Sequence, residues 1–254
     1  MGYLHAGHLS LVKESKKKCD VTVVSIFVNP TQFTPSEDFQ NYPRDIDRDK
    51  QLLEKEKVDF LFLPDKNEIY TQNFQTFVNV DHITQQLEGE FRPTHFRGVT
   101  TVVLILFNSV QPDYAYFGQK DAQQSAVIKQ MVKDLKLDIE IVVCSIVRES
   151  DGLALSSRNV YLSQDERKDS LVLFRSLELA KKIISLGERR ANVILSDMNE
   201  LIREVRSAKL DYIRIVESNS FEIVDELIEG NEYYILIACK IGKTRLIDNI
   251  KIKV

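Results

Sequence analysis

The residues best suited to chemistry stand first in the chain, in Met1-Gly2-Tyr3-Leu4-His5-Ala6-Gly7-His8, followed at once by the amphipathic run Leu9-Ser10-Leu11-Val12. Two histidines three apart, with glycines at positions 2 and 7, read as a tight turn that opens a helix. Glycine permits backbone conformations and close approaches that a side chain would block. The free N–H groups of a helix's first turn, at the positive end of its dipole, form an anion site. His5 and His8 can add ring donors to it, so a phosphate chain is the guest this pattern suits best. A metal ranks second, because an H-x-x-H pair supplies two ligands whereas zinc needs three or four. A purely structural role ranks third. The chain has only four histidines, His5, His8, His82 and His95, and chance seldom sets two of them three apart beside a glycine.

Three further segments are rich in donors: Asn29-Pro30-Thr31-Gln32, Gly118-Gln119-Lys120-Asp121 with Gln123-Gln124, and Leu155-Ser156-Ser157-Arg158. Singly, each has a plain explanation. Lys120 suits a solvated helix start, Asp121 a helix cap, Gln32 a turn, and Ser156-Ser157 an ordinary loop. Gly242-Lys243-Thr244 ends like a phosphate-binding loop, but Ile237 stands where that motif requires glycine.

The elements between these segments predict how they are positioned. A helix is expected over 8–18, and then the almost continuously apolar, β-branched run 21–28, which describes a parallel strand buried on both faces. That strand delivers Asn29–Gln32 at its carboxyl end, where ligands bind in open α/β sheets. A charged helix over 45–57 and a second buried strand over 58–63 follow. We expect a short strand over 74–80, a helix over 99–110 ended by Pro112, and a strand over 113–117. The helix 122–135 and the strand 139–147 complete the alternation. Such alternation predicts a Rossmann-like, doubly wound parallel sheet. Beyond it, a polar loop (149–159), helices over 164–186 and 192–206 and strands over 212–217 and 233–241 predict a smaller α+β domain. The expected division is 1–147 and 148–254.

Composition narrows the partners. A net charge of −4 gives no global basic footprint for nucleic acid. Cys19, Cys144 and Cys239 are far apart and odd in number, which fits a reducing cytoplasm better than a disulfide framework. No apolar stretch approaches the ~18 residues of a membrane span, and the N-terminus lacks a signal-peptide layout. Met1-Gly2 matches the start of a myristoylation signal, but Ala6 stands where that signal wants Ser or Thr. No nucleic-acid or membrane partner is expected.

The turn alone resembles the H-x-G-H nucleotide-binding turn of the adenylyltransferase superfamily. The stretches MGYLHAGHLSLV, VVSIFVNPTQF, NYPR, FRPTHFRGV, FGQKD with QQ, DGLALSSRN and RLIDN together resemble the pantothenate synthetase family over nearly the whole chain. Those enzymes are ATP-dependent ligases that join pantoate to β-alanine through a pantoyl adenylate, releasing pyrophosphate and then AMP. The resemblance implies that Met1, Gly2, His5, Gly7 and His8 form the ATP-binding turn, with His8 as proton donor. Gly118, Gln119, Lys120 and Asp121 meet the phosphates and ribose, and Val147 lines the adenine pocket. Leu155, Ser156, Ser157 and Arg158 form the mobile phosphate loop. Gln32 and Gln124 hold pantoate, with Asn29, Tyr42 and Arg92 near that end. His5, His8, Lys120 and Arg158 are the implied catalytic set, Mg²⁺ travels on the ATP phosphates, and a homodimer is implied.

Two departures accompany the resemblance. Gln119 replaces the family's glutamate. The family also carries about one helix and one strand before this turn, so we expect the natural start to lie upstream of Met1; a chain lacking that strand would leave sheet edges unpaired. Two other functions fit parts of the pattern. A different adenylyltransferase would leave Gln32 and Gln124 without a role, and a nucleotide-binding regulatory module would need catalysis to have been lost.

Overall fold

The structure, a computed structural model, describes residues 2–35 and 37–254, so the expected contact of Met1 with ATP lies outside the described residues. Two compact units form, Met1–Ser145 and Ile146–Val254.

In the first unit, strands and helices alternate. They run α1 (Ala6–Lys18), β1 (Val23–Ser25), α2 (Ile46–Lys55), β2 (Phe60–Phe62), α3 (Lys66–Ile69), α4 (Glu88–Phe91), α5 (His95–Val110), β3 (Tyr114–Gly118), α6 (Ala122–Asp134) and β4 (Glu140–Cys144). The pairing is parallel, β1 with β2 and β3 with β4, as helical crossovers require. This is the α/β class the alternation predicts, its strands held in two separate two-stranded ladders.

The expected strands at 21–28 and 58–63 shrink to three paired residues each. Val21 and Phe60 are exposed, and the rest of each pair is at most half-buried. Among the described residues only β2 pairs with β1, so continuous apolar sequence overstated the burial. The expected strand at 74–80 does not form. The Val78 N–H donates to Thr101 Oγ1 (3.1 Å), and its carbonyl accepts from Thr100 Oγ1 (2.6 Å), so two helix hydroxyls replace a neighbouring strand.

Helix α5 is the unit's spine. It begins at His95, four residues before the apolar run, and ends on Gln111 in the left-handed region just before Pro112. Its Val99, Val102, Val103 and Phe107 pack on Val127, Ile128, Met131 and Val132 of α6.

The second unit stacks helices on an antiparallel sheet. Helices α7 (Gln164–Asp169), α8 (Leu171–Ser185) and α9 (Ala191–Arg203) precede strands β5 (Ala208–Glu217), β6 (Glu232–Ile241) and β7 (Thr244–Lys253), in sheet order β5-β6-β7. The expected single helix over 164–186 breaks at fully buried Ser170, whose hydroxyl donates to the Arg167 carbonyl (2.7 Å). Strand β7 escaped the sequence reading because buried Asp248 and Asn249 interrupt its apolar pattern. The misleading Gly242-Lys243-Thr244 is the β6–β7 hairpin, with Ile241 opposite Thr244 and Gly242 at φ +56°.

Candidate active site

The H-x-G-H turn builds an unusual helix cap. His5 is the N-cap of α1 in extended conformation, and its Nδ1 accepts from the Gly7 N–H (3.1 Å). In return the His5 N–H donates to His8 Nδ1 (3.3 Å). This is the reciprocal logic of a capping box, with imidazoles in place of hydroxyl and carboxylate. Each Nδ1 is therefore an acceptor, and the proton of each neutral ring sits on Nε2. The rings lie 4.0 Å apart between centroids. Burial pulls the His5 pKa down to about 4 and that of His8 to about 2, and the Lys120 charge pushes both the same way. At neutral pH the turn thus offers two uncharged Nε2–H donors beside a lysine.

Lys120 and Asp121 arrive from β3, whose carboxyl end at Gly118 passes into a 3₁₀ turn, Gln119–Asp121, and then α6. Both charges act on His5, Lys120 lowering its pKa and Asp121 raising it, so these expected residues do converge. A side chain at Gly118 would meet nothing within 4 Å, which leaves open space beside the turn. Gln119, the departure from the family, opens the 3₁₀ turn.

The residues expected at the pantoate end fall into two groups. Asn29 is 1% exposed and saturated: its Nδ2 donates to the Gly98 carbonyl (3.0 Å) and to Gln32 Oε1 (3.3 Å), and its Oδ1 accepts from Thr31 and from the Tyr70 hydroxyl (2.7 Å). Arg92 is likewise spent internally, with Glu37 at 2.6 Å and Glu88 at 3.5 Å. It also bonds His95 Nε2 (3.2 Å) and the Gln32 carbonyl (3.3 Å). Arg92, expected near the pantoate end, thus braces the Gln32 turn from behind. Tyr42 packs edge-on against Phe33 of the same turn. Neighbouring glutamines divide the same way. Gln123 is locked to Glu88, Ile83 and Gln86, while the Gln124 amide makes no hydrogen bond among the described residues.

Sequence reasoning missed His95, whose Nδ1–H donates to the Gln32 carbonyl (2.9 Å), and Gly98. A Cβ at Gly98 would stand 2.6 Å from the Thr31 carbonyl, so α5 touches the Asn29–Gln32 turn backbone to backbone. Both lie in the quoted FRPTHFRGV stretch, which was the available signal.

In the second unit, Val147 and Leu155 are joined directly, the Leu155 N–H donating to the Val147 carbonyl (3.0 Å). The loop between them turns at Gly152, whose φ of +101° suits glycine and where a Cβ would strike the Phe174 ring. Ser156 Oγ then caps a 3₁₀ turn, Ser157–Tyr161, by accepting from the Arg158 N–H (3.2 Å). Arg148 anchors the loop by a bidentate bond to Asp248 (2.6 and 2.9 Å) and a further one to the Asn249 carbonyl (3.1 Å), which gives the terminal RLIDN stretch its function.

An α/β unit with paired histidine donors at a helix N-terminus, next to a strand-end lysine, defines the nucleotide-binding H-x-G-H class. Comparison with known proteins is more specific. The pantoate-beta-alanine ligase family matches residues 1–251. The chain is 57% identical to the pantothenate synthetase of Caldicellulosiruptor bescii, over all of this chain and 89% of that protein. It is 54% identical to that of Acetivibrio thermocellus, over all of this chain and 90% of the relative. The crystal structure of pantothenate synthetase from Thermus thermophilus superposes with a TM-score of 0.95 at 43% identity, covering 100% of this chain and 91% of the other. A pantoate-beta-alanine ligase from Francisella tularensis, solved with beta-gamma ATP and beta-alanine, gives a TM-score of 0.78 at 36% identity, with 98% and 86% covered. The chain belongs to the pantoate-beta-alanine ligase family. It is an ATP-dependent ligase that forms pantothenate from pantoate and β-alanine.

Proposed function

We propose that the reaction runs through a pantoyl adenylate and that the neutral His5–His8 pair is its central donor set. The observation that carries this reading is the reciprocal cap, which commits both Nδ1 atoms and leaves both protons on Nε2. Pantoate's carboxylate, with a pKa near ~4, is ionised at pH 7 and needs no base to attack the α-phosphorus of ATP. What the step needs is alignment of two anions and stabilisation of the charge that develops on the phosphate. His5 and His8 supply uncharged donors and Lys120 a cation, and the family resemblance adds Ser156, Ser157 and Arg158 as phosphate donors. His8 acts as a hydrogen-bond donor to the leaving phosphates, its ring remaining neutral. Gln32 and Gln124 hold pantoate, with Asn29, Tyr42 and Arg92 supporting the Gln32 turn. β-Alanine, as the neutral amine, then attacks the mixed anhydride and AMP leaves.

Mg²⁺ belongs to this reading as the ATP counter-ion. Mg²⁺ keeps several waters and takes few protein ligands, so the ATP phosphates would supply most of its coordination. By the family resemblance Val147 lines the adenine pocket and Leu155 belongs to the phosphate loop. The family resemblance supports a homodimer, and the free cysteines support a reducing cytoplasm. No helix among the described residues is long and apolar enough to cross a membrane.

Pyrophosphate release from ATP, Mg²⁺ and pantoate, with and without β-alanine, tests the reading. Replacing one preorganised donor costs ~10²–10³ in kcat, so His8→Ala should reduce pyrophosphate release by that factor. Unchanged release would remove the histidine pair from the mechanism.

A further inference from the structure

Asp49 lies on α2, outside every segment considered so far, and is 1% exposed. Its carboxylate receives two backbone bonds from the start of the chain. The Tyr3 N–H donates to Oδ2 and the Leu4 N–H to Oδ1, each at 2.7 Å. Adjacent Arg48 completes the grip. Its Nη1 donates to the Leu4 carbonyl (2.9 Å), its guanidinium lies 5.0 Å above the Tyr3 ring, and it stands 3.6 Å from Asp49 Oδ1. The segment held this way is conformationally unusual, with Gly2 at φ +109° and Tyr3 at +51°. For a non-glycine residue the left-handed region costs free energy and persists only where surroundings enforce it. Leu4 leads straight into His5, the N-cap whose own N–H must reach His8 Nδ1.

We propose that Asp49 is a positioning residue for adenylation, acting with Arg48 as a clamp that fixes residues 3 and 4 and so aims the His5 and His8 Nε2–H groups. This inference rests on the reading of those histidines as phosphate donors. Charge-assisted bonds from backbone N–H to carboxylate are short and strong, so the clamp holds the turn more stiffly than neutral partners would. In Asp49→Asn one oxygen becomes an NH₂ group that cannot accept, and an N–H is left facing an N–H. The turn then keeps its residues and loses its aim.

The experiment is a double-mutant cycle on the full chain, comparing wild type, Asp49→Asn, His8→Ala and the double variant by pantoate-dependent pyrophosphate release. Thermal melts verify folding at the assay temperature. A misplacement near 1 Å can cost ~10²-fold, so Asp49→Asn should lose about that factor in kcat with less than a few-fold change in KM for pantoate. The double variant should lose clearly less than the product of the two single losses, because with His8 gone the clamp has only His5 left to aim. If the two losses multiply, or Asp49→Asn keeps wild-type kcat, the clamp is overturned while the histidine reading stands. If His8→Ala is itself active, the histidine reading falls first. Should Asp49→Asn not fold, Arg48→Ala, at a partly exposed position, carries the same cycle with the same criteria.

Discussion

Gly98→Ala is the sharpest test of how the pantoate end is built. The added Cβ would lie 2.6 Å from the Thr31 carbonyl carbon and oxygen and 2.7 Å from the Gln32 N–H nitrogen, all backbone atoms that cannot rotate away. Ordinary contact begins at 3.4 Å, so the turn or α5 must retreat by the difference between 2.6 and 3.4, about 0.8 Å. Helix α5 is fixed in the core by Val99, Val102, Val103 and Phe107, so the turn moves. Its retreat pulls Gln32 off the His95 and Arg92 bonds and strains the bond from Asn29 to the Gly98 carbonyl. Overpacking of this kind costs ~1–3 kcal/mol, or ~2–4 °C in melting temperature per kcal/mol at this chain length. A displacement approaching 1 Å at a substrate-holding group costs up to ~10²-fold in rate. We therefore expect kcat/KM for pantoate to fall by ~30–100-fold, with ATP affinity changed little because the His5–His8 turn is a separate element. Steady-state pyrophosphate release gives the first quantity and calorimetric ATP titration the second. Val132→Ala, a truncation in the same core, controls for lost stability. Wild-type kinetics for pantoate in Gly98→Ala would refute the view that α5 fixes Gln32 through this contact.

Two further predictions concern stability. Burial holds the His95 pKa near 4, and the neutral ring donates from Nδ1 while accepting from Arg92 at Nε2. With folded pKa values below the ordinary 6.5, the unfolded chain binds more protons, so stability rises with pH across this window and is lost as pH falls from 6.5 toward 4. Urea midpoints measured between pH 7 and 5 should drop, and His95→Gln should flatten the slope, leaving the share due to His5 and His8; an unchanged slope would contradict this. Asp248→Asn breaks the bidentate pair with Arg148, whose carboxylate partner is 2% exposed. The cost should fall near the lower end of the ~3–5 kcal/mol for such breaks, since Arg148 retains 20% exposure and can rehydrate; denaturant unfolding giving under about 1 kcal/mol would argue against it.

The alternation of strand and helix was legible because each segment carries its own periodicity, and so was the place of Gly118–Asp121 at the carboxyl end of β3. The H-x-G-H turn was legible as a helix start, and its histidines do cap α1. Burial was not legible from apolar sequence alone. The run 21–28 looks like a fully buried strand, yet pairing on only one side leaves Val23 partly exposed. Residues 74–80 have strand composition, but Thr100 and Thr101 satisfy their backbone from a helix more than twenty positions away. Support groups are hidden for the same reason. Nothing local marks Asp49 as the acceptor for residues 3 and 4, or Arg92 as the partner of Glu37 and the Gln32 carbonyl. Those roles are set by contacts 45 to 60 positions distant, where spacing carries no signal.

The neutrality of the histidine pair follows from where it sits. A cation is disfavoured at a helix N-terminus, where the macrodipole is positive, and again beside Lys120. Protonating either Nδ1 would also break the cap that makes the turn. Burial is the largest cause of both lowered pKa values, with the Lys120 charge acting the same way, and the dipole and the cap oppose the imidazolium further. An uncharged Nε2–H can be stripped of water at smaller cost than a cation, which suits the phosphate-donor role proposed for the pair. Lys120 supplies the net charge that a neutral pair cannot. Under the proposed function the turn separates two tasks often given to a single residue, with direction supplied by the histidines and charge by the lysine.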